Sequence, residues 1–278
     1  MYVMGILNVT PDSFSDGGRY NSIEQALKHT SQLIEDGADI IDIGGESTRP
    51  GFERVSAEEE THRVCRVIEA IKESFDIPIS IDSYKASVVD EAIKCGADIA
   101  NDVWGLRLDK ETDKGYEGDE DKTYGEVVRA AGVPIILMHN SRPLPSGVDE
   151  LGTDLLGEEY IERFISEMND MVKRALDAGI EKDKIIVDPG IGFGKTQEQN
   201  LLIMKYLPRI VEKMDYPVLL GTSRKTMIGT ALDLPVEERE EGTLVTTILA
   251  AEAGCSYVRV HDVKKNVRAI KMYEAIRG

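Results

Sequence analysis

The feature that most constrains the fold of this chain is a junction at which a helical pattern ends in glycine and a short apolar run follows. It occurs four times closely and once loosely, as DGADIIDIGG from Asp36, CGADIANDVWG from Cys95, AGVPIILMHN from Ala131, AGCSYVRVHDV from Ala253 and the looser AGIEKDKIIVDPG from Ala178. Glycine suits the residue after a helix because it adopts positive φ without steric cost. The chain is therefore predicted to repeat one unit, a helix followed by a strand.

Eight apolar runs qualify as strands in this repeat. They are Val3 to Leu7, Ile40 to Ile43, Ile79 to Ile81, Ile99 to Ala100, Ile135 to Met138, Ile185 to Val187, Val218 to Leu220 and Tyr257 to Val260. Amphipathic stretches lie between them, such as Ile23 to Glu35 and Glu159 to Leu176. Continuous apolarity indicates parallel strands buried on both faces. We predict an α/β protein, a (β/α)8 TIM barrel of one domain over residues 1–278, with a doubly wound sheet as the alternative.

The charge balance limits the partners of the chain. With 51 acidic and 33 basic residues the formal net charge is −18, which disfavours nucleic acid and anionic membranes. An anionic ligand would need a local cluster of cations. No apolar run has membrane length, and the N-terminal residues turn polar too early for a signal peptide, so a cytoplasmic protein is expected. Three distant cysteines suggest neither disulfides nor a zinc site.

The stretch from Ile185 to Thr196, IIVDPGIGFGKT, nearly matches a phosphate-binding loop. That motif needs glycine five places before its Gly-Lys-Thr ending, and this chain has Pro189 there. The glycines are also spaced too closely for a dinucleotide fingerprint. What remains is a strand ending in Asp188 and a turn carrying Phe193. Lys195 is the residue of this stretch that we least expect to matter.

Polar side chains follow almost every predicted strand. Barrel enzymes build their sites from the carboxyl ends of the strands, so these residues are expected to converge on one face. The strand-end residues are Asn8, Gly44 with Glu46, Asp82, Asn101 with Asp102, His139, Asp188, Gly221 with Ser223 and Arg224, and Arg259 with His261.

Five stretches together resemble the dihydropteroate synthase family, in that family's order. They are NVTPDSFSDGG from Asn8, GGESTRPG from Gly44, DPGIGFGK from Asp188, GTSRK from Gly221 and RVHDV from Arg259. The resemblance covers nearly the whole chain. It implies a pterin-binding barrel that joins a dihydropterin methyl diphosphate to 4-aminobenzoate, a reaction of folate synthesis and a sulfonamide target.

The resemblance assigns the pterin to one group of residues: Asp188, Asp82, Asn101, Lys225, Gly221 and Met138. A buried carboxylate can accept two N–H groups from the pterin edge in charge-assisted hydrogen bonds, which suits Asp188. Lys225 is expected to reach the pterin carbonyl and to take part in catalysis. A purely structural role, capping the following turn, is the alternative for Asp188, and for Asp102 both roles stay open.

The resemblance assigns 4-aminobenzoate to Phe14, Thr48, Arg49, Pro50, Phe193 and Thr226. It implies that departure of the diphosphate leaves a positive charge on the methylene carbon of the pterin, with Asp16 as the catalytic contact to this cation. The diphosphate is expected at Asn8, Arg259 and His261, and Mg²⁺ at Asn8, since magnesium keeps several waters and takes few protein ligands. Arg259 and His261 are also expected to be catalytic, through stabilisation of the departing diphosphate. For His29, His62 and His139 a structural or surface position, rather than a catalytic role, is expected.

Two other functions are compatible with such a barrel. A methyltransferase that transfers a methyl group from a pterin to a corrinoid would lack the first loop motif, Lys225 and the RVHDV stretch from Arg259. A non-catalytic pterin-binding barrel would not need residues that bind diphosphate. The acidic segment from Asp109 to Lys122 is expected to be a solvated loop. The resemblance suggests a homodimer formed through the late helices.

Overall fold

The computed structural model describes residues 1–9, 19–46, 54–108, 122–144 and 151–278. The predicted site residues Phe14, Asp16, Thr48, Arg49 and Pro50 lie outside these ranges, as do residues 109–121 of the acidic segment.

The described residues form eight strands and ten α-helices. The strands are β1 Tyr2–Asn8, β2 Ile40–Gly44, β3 Ile79–Asp82, β4 Ile99–Asp102, β5 Ile135–Met138, β6 Ile185–Asp188, β7 Leu219–Leu220 and β8 Tyr257–Val260. The helices are α1 Arg19–Glu35, α2 Ala57–Ser74, α3 Ala86–Lys94, α4 Tyr124–Ala131, α5 Gly157–Asp177, α6 Gln197–Lys205, α7 Leu207–Lys213, α8 Thr226–Leu232, α9 Glu240–Ala253 and α10 Val263–Arg277. Short 3₁₀ turns at Lys182–Lys184 and Val236–Glu238 complete the elements.

The eight strands form one parallel sheet in the order β6-β5-β4-β3-β2-β1-β8-β7. Strand β1 pairs with β8, and a parallel bridge from Val187 to Val218 brings β6 beside β7, so the sheet closes almost completely into a barrel. A doubly wound sheet would reverse direction part-way, which this order does not do. The barrel prediction is confirmed, except that Val218 forms only the bridge and β7 begins one residue later than expected.

The apolar side chains occupy two layers. Alternate residues of the strands fill the barrel interior in its amino-terminal half, and the others pack beneath the helices. The interior cluster consists of Met4, Ile40, Ile99, Ile136, Ile186 and Leu219. Because this cluster fills the lower barrel, the carboxyl ends of the strands are left to polar groups.

The glycine junctions have the expected geometry. Gly132 ends α4 with φ 66°, and its N–H is donated to the carbonyl of Val128. This left-handed cap lets the chain turn directly into β5. Within the described ranges, no helix is both long enough and apolar enough to span a membrane.

Candidate active site

The carboxyl ends of β2, β3, β4 and β8 meet around one guanidinium group. Arg259 Nε lies 2.5 Å from Asp42 Oδ2, and Arg259 Nη2 lies 2.6 Å from Asp82 Oδ2. Asn101 Nδ2 donates a hydrogen bond to Asp42 Oδ1 at 3.2 Å. Parallel register explains the meeting, since Asp82 pairs with Gly44 on one side and Asn101 on the other. Four chain segments thus share one polar cluster.

Asp42 is the member of this cluster that sequence reasoning missed. Its side chain is fully buried, and its two oxygens accept from Arg259 and Asn101. The signal was an acidic residue inside the apolar run of β2, where a carboxylate needs a buried partner. Asp42 therefore orients Arg259, which is assigned to the diphosphate, and Asn101, which is assigned to the pterin.

Arg259 was expected to offer its planar fork to the diphosphate. Instead, Nε and Nη2 are engaged by Asp42 and Asp82. Burial works against the charge of Arg259, but the two carboxylates outweigh it and raise its pKa, so the guanidinium stays protonated. The hydrogen bonds to Asp42 and Asp82 use two of the five N–H donors of Arg259, so the guanidinium holds the polar cluster together and keeps donors for a phosphate oxygen.

Asp82 keeps one oxygen for a ligand. Its Oδ2 accepts from Arg259, whereas Oδ1 is buried without a hydrogen-bond partner among the described residues. Burial raises the pKa of Asp82 to about 7, with Arg259 opposing the shift and Asp42 adding to it. A buried acceptor without a donor is costly, so Oδ1 is suited to receive an N–H from a bound molecule.

The structure shows the capping role considered for Asp188, and its pterin-binding role stays a prediction. Its Oδ1 accepts from the N–H of Gly190 at 2.7 Å, which caps the turn after β6. Its Oδ2 faces Gly221, where an added Cβ would lie 3.5 Å from Oδ2 and 3.8 Å from Lys225 Nζ. Burial raises the pKa of Asp188, and the nearby Lys225 ammonium opposes this. Gly221 therefore lies between a carboxylate and an ammonium, and this position is called the Gly221 slot.

Phe193 and Met138 form the apolar side of the site. Lys225 Nζ and Arg142 Cζ each lie 4.8 Å from the centre of the Phe193 ring, within cation–π range. Met138 packs in a cluster with Val103, Trp104 and Leu144, against which Phe193 also packs. The polar ring is thus bounded by an aromatic and aliphatic wall with two cations.

Comparison with known proteins identifies this combination. The family model described as "Pterin binding enzyme" matches residues 4–261. The dihydropteroate synthase of Clostridium beijerinckii is 51% identical over 276 residues, covering 99% of this chain and 94% of the relative. The chain belongs to the dihydropteroate synthase family of pterin-binding enzymes.

Solved structures of the dihydropteroate synthase family match the fold. The enzyme from Xanthomonas albilineans with 4-aminobenzoic acid has a TM-score of 0.86 at 37% identity, covering 100% of this chain and 93% of that one. The enzyme from Coxiella burnetii in complex with pteroic acid has a TM-score of 0.83 at 36% identity, again covering 100% and 93%.

The structure corrects our expectation for Lys195. Its Nζ donates hydrogen bonds to the backbone carbonyls of His139 and Gly190 at 2.9 Å and of Phe193 at 3.2 Å. Thr196, the last letter of the false phosphate motif, caps the start of α6 by accepting from Gln199 N. In this member of the dihydropteroate synthase family, the residues that resemble a phosphate-binding loop in sequence stabilise the turn that carries Phe193.

The remaining predicted residues lie at the rim or have structural partners. Asn8 is exposed at the end of β1, and Thr226 is exposed at the start of α8. His261 Nδ1 lies 2.9 Å from the hydroxyl of buried Ser223. No group of three or more His, Cys, Asp or Glu side chains in the described ranges is placed to hold a metal.

Two strand-end residues have structural roles. The carboxylate of Asp102 accepts from the N–H groups of Trp104 and Leu106, which fixes the turn after β4. His139 is buried with Nε2 3.0 Å from Glu167 Oε2, and burial lowers the pKa of His139 to about 4. His139 is therefore a neutral packing residue at physiological pH, as expected.

Proposed function

We propose that this chain joins 7,8-dihydropterin-6-ylmethyl diphosphate to 4-aminobenzoate, giving dihydropteroate and diphosphate. The observation that carries the proposal is the slot at Gly221, where Asp188 and Lys225 face one space beside Asp82 and the Phe193 wall. Full-length relatives named dihydropteroate synthase, and relatives solved with pteroic acid and 4-aminobenzoic acid, support it.

The pterin fits the polar part of the slot. Its amino-pyrimidine edge presents adjacent N–H donors, which Asp188 Oδ2 and the unpaired Asp82 Oδ1 can accept. Asn101 is held by Asp42 at the next strand end and completes the ring of polar groups. Lys225 donates to the pterin carbonyl, and Met138 supplies apolar surface to the ring.

The aminobenzoate lies beside the pterin in this proposal, against Phe193. The Thr226 hydroxyl, exposed one residue after Lys225, binds its carboxylate. Phe14, Thr48, Arg49 and Pro50 remain predicted contacts to 4-aminobenzoate, and Asp16 remains a predicted contact to the cation on the pterin methylene. In the reaction the methylene C–O bond breaks, diphosphate leaves, and the arylamine nitrogen bonds to the methylene carbon and then loses a proton. No strong general base is needed, because the amine becomes acidic only after attack.

We place the diphosphate at Asn8, His261 and the remaining N–H donors of Arg259. The exposed amide oxygen of Asn8, at the carboxyl end of β1, fits a magnesium ion that keeps most of its waters and binds chiefly to the diphosphate. When bound, Mg²⁺ would offset the charge of the leaving group. The protein residues orient the diphosphate away from the attacking amine.

The decisive experiment measures diphosphate release. With the pterin diphosphate, 4-aminobenzoate and Mg²⁺ all present, we expect release and formation of dihydropteroate, and little of either when one substrate or the metal is omitted. Absence of release with all three present would refute the assignment. Methyl transfer from methyltetrahydrofolate to a corrinoid would establish the alternative enzyme, and pterin binding without either reaction would indicate a binding protein. We further propose that the enzyme acts as a cytoplasmic homodimer.

A further inference from the structure

The side chain of Lys195 reaches an enclosed position behind the site. Three backbone carbonyls surround Nζ, those of His139, Gly190 and Phe193. A fourth side faces the ring of Phe164, whose centre is 5.8 Å away. A lysine ammonium has three N–H donors and no acceptor, so these carbonyls use its full donor capacity. Lys195 is therefore fully engaged with the protein and has no donor to spare for a phosphate.

The three carbonyls belong to two neighbouring turns. Gly190 and Phe193 lie in the turn between β6 and α6, and His139 follows β5. Two of the carbonyls already accept backbone bonds, Gly190 O from Phe193 N and Phe193 O from Ser141 N, both at 3.1 Å. Lys195 thus contacts the acceptors of two backbone hydrogen bonds. One of them closes the turn between Gly190 and Phe193, and the other joins this turn to the one after β5 through Ser141.

Close packing makes this arrangement specific. A Cβ on Gly190 would lie 2.0 Å from the carbonyl oxygen of His139, and one on Gly194 would lie 2.3 Å from Arg142 N. Both glycines also have positive φ, 65° and 71°. The backbones therefore approach so closely that their carbonyls converge on one point. Burial and the neighbouring Lys225 lower the pKa of Lys195, whereas Asp188 and Glu167 oppose the shift. Without the N–H donors of Lys195, the carbonyls of Gly190 and Phe193 would each keep only a backbone bond, and the converging carbonyl dipoles would have no donor between them.

We propose that Lys195 is a positioning residue for 4-aminobenzoate, acting through the turn that presents Phe193. The inference rests on the proposed function, since Phe193 is assigned to that substrate. Phe193 bonds to Lys195 through its carbonyl and contacts Lys225 and Arg142 through its ring. Fixing the carbonyl fixes the ring relative to Lys225. Loss of the Lys195 donors leaves the pterin groups Asp82 and Asn101 in place, because these lie on other strands. Asp188 shares the turn through its bond from Gly190 N, so the pterin is expected to be affected less than 4-aminobenzoate but not untouched.

The test substitutes Lys195→Met, which keeps the apolar stem but removes all three donors. We expect KM for 4-aminobenzoate to rise about 10- to 100-fold, because a displacement of about 1 Å costs up to that factor. The dissociation constant of the pterin diphosphate should change much less. Lys205→Met, at an exposed lysine of α6, is the matched control and should behave as wild type. Lys195→Gln keeps two donors without charge and should give an intermediate KM.

Amide hydrogen exchange reports on the turn without relying on activity. The N–H groups of Ser141 and Phe193 should lose protection in Lys195→Met and keep it in Lys205→Met. The fluorescence of Trp104, the single tryptophan, should also change, since Phe193 packs against its cluster. Unchanged KM together with unchanged exchange overturns the proposal, and so does a fall in thermal stability with no selective rise in KM. If wild type released no diphosphate, the proposed function would fail, while the exchange result would still decide whether Lys195 holds the turn.

Discussion

At the level of single residues, Asp188 and Phe193 belong to one turn but face different chemistry. Asp188→Asn replaces an acceptor by an amide and is expected to weaken pterin binding about 10- to 100-fold, since a hydrogen bond to a charged group contributes about 1.5–3 kcal/mol. Phe193→Ala removes apolar surface beside Lys225 and should raise KM for 4-aminobenzoate about tenfold. Calorimetry with the pterin and steady-state kinetics with the second substrate measure the two effects. Equal losses for both ligands from either substitution would contradict this division.

If Lys225 binds the pterin as proposed, pterin binding should depend on pH. Burial lowers the pKa of Lys225 to about 8, while Asp188 and Asp82 favour the charged form and Arg259 and Arg142 disfavour it. The ammonium is present below this pH and lost above it, so a charge-assisted bond to the pterin carbonyl is lost as pH rises. We expect pterin dissociation constants to increase about tenfold between about pH 7 and about pH 9.

The matched variant for this pH dependence is Lys225→Met. It should bind the pterin weakly at every pH and lack the step near pH 8 that burial gives to Lys225. Titration of the ligand itself would appear in both proteins, so the difference between the two curves isolates the lysine. A wild-type curve parallel to that of Lys225→Met would show that the ammonium does not bind the pterin.

Site residues could be assigned from the sequence where a family motif contains them. Residues whose partners are distant in the chain were missed. Asp188 and Lys225 were assigned to the pterin because family motifs surround them, and these roles stay predictions. Asp42 and Lys195 were missed for different reasons. The partners of Asp42 lie 59 and 217 positions away, so no local pattern shows them. The role of Lys195 depends on three backbone carbonyls, whose convergence is a property of the folded turn.

At the level of elements, the strands were predictable because parallel buried strands are short, apolar throughout and preceded by glycine caps. The ties between elements were not. Lys85 lies just before α3, and its Nζ is 2.7 Å from both Glu46 Oε2 and Glu60 Oε2. The same ammonium also donates a hydrogen bond to the carbonyl of Val55. Glu46 lies after β2, Glu60 on α2 and Lys85 before α3, and the parallel pairing of β2 with β3 beneath α2 brings them together.

Removing the cation from this cluster should destabilise the barrel. The Lys85 and Glu46 side chains are each 9% exposed and Glu60 is 1% exposed. Burial raises the pKa of Glu60, and Lys85 offsets this. Lys85→Met leaves two buried carboxylates unpaired, and the free energy of unfolding should fall by about 3–5 kcal/mol in urea denaturation.

The control for the buried cluster lies on the next helix. Lys94 pairs with Asp90 and Glu91 at the surface, so Lys94→Met should leave the urea midpoint nearly unchanged. Adding Glu60→Gln to Lys85→Met should restore part of the lost stability, since one unpaired charge is removed. Equal midpoints for Lys85→Met and Lys94→Met would show that the cluster does not stabilise the fold.

At the level of the whole molecule, the last two helices expose an apolar surface. Val245 and Leu249 on α9 are 60% and 39% exposed, and Met272 and Ile276 on α10 are 61% and 71% exposed. Each pair is spaced i, i+4 and so lies on one face of its helix. The helices pack against each other, and Arg277 of α10 pairs with Glu252 of α9. This surface lies on the late helices, where the family resemblance places the contact between two copies.

A charge on this surface should separate the proposed dimer. We expect the wild type to have twice the chain mass in light scattering coupled to size-exclusion chromatography. Val245→Glu or Ile276→Glu should raise the dimer dissociation constant about 100-fold or more, because an uncompensated charge buried at an interface costs several kcal/mol. Leu201→Glu introduces the same charge at a 46% exposed leucine on α6, away from this surface, and should remain dimeric. A monomeric wild type, or equal dissociation by Leu201→Glu, would exclude α9 and α10 as the contact, whereas dissociation with retained diphosphate release would show that each barrel is catalytically self-sufficient.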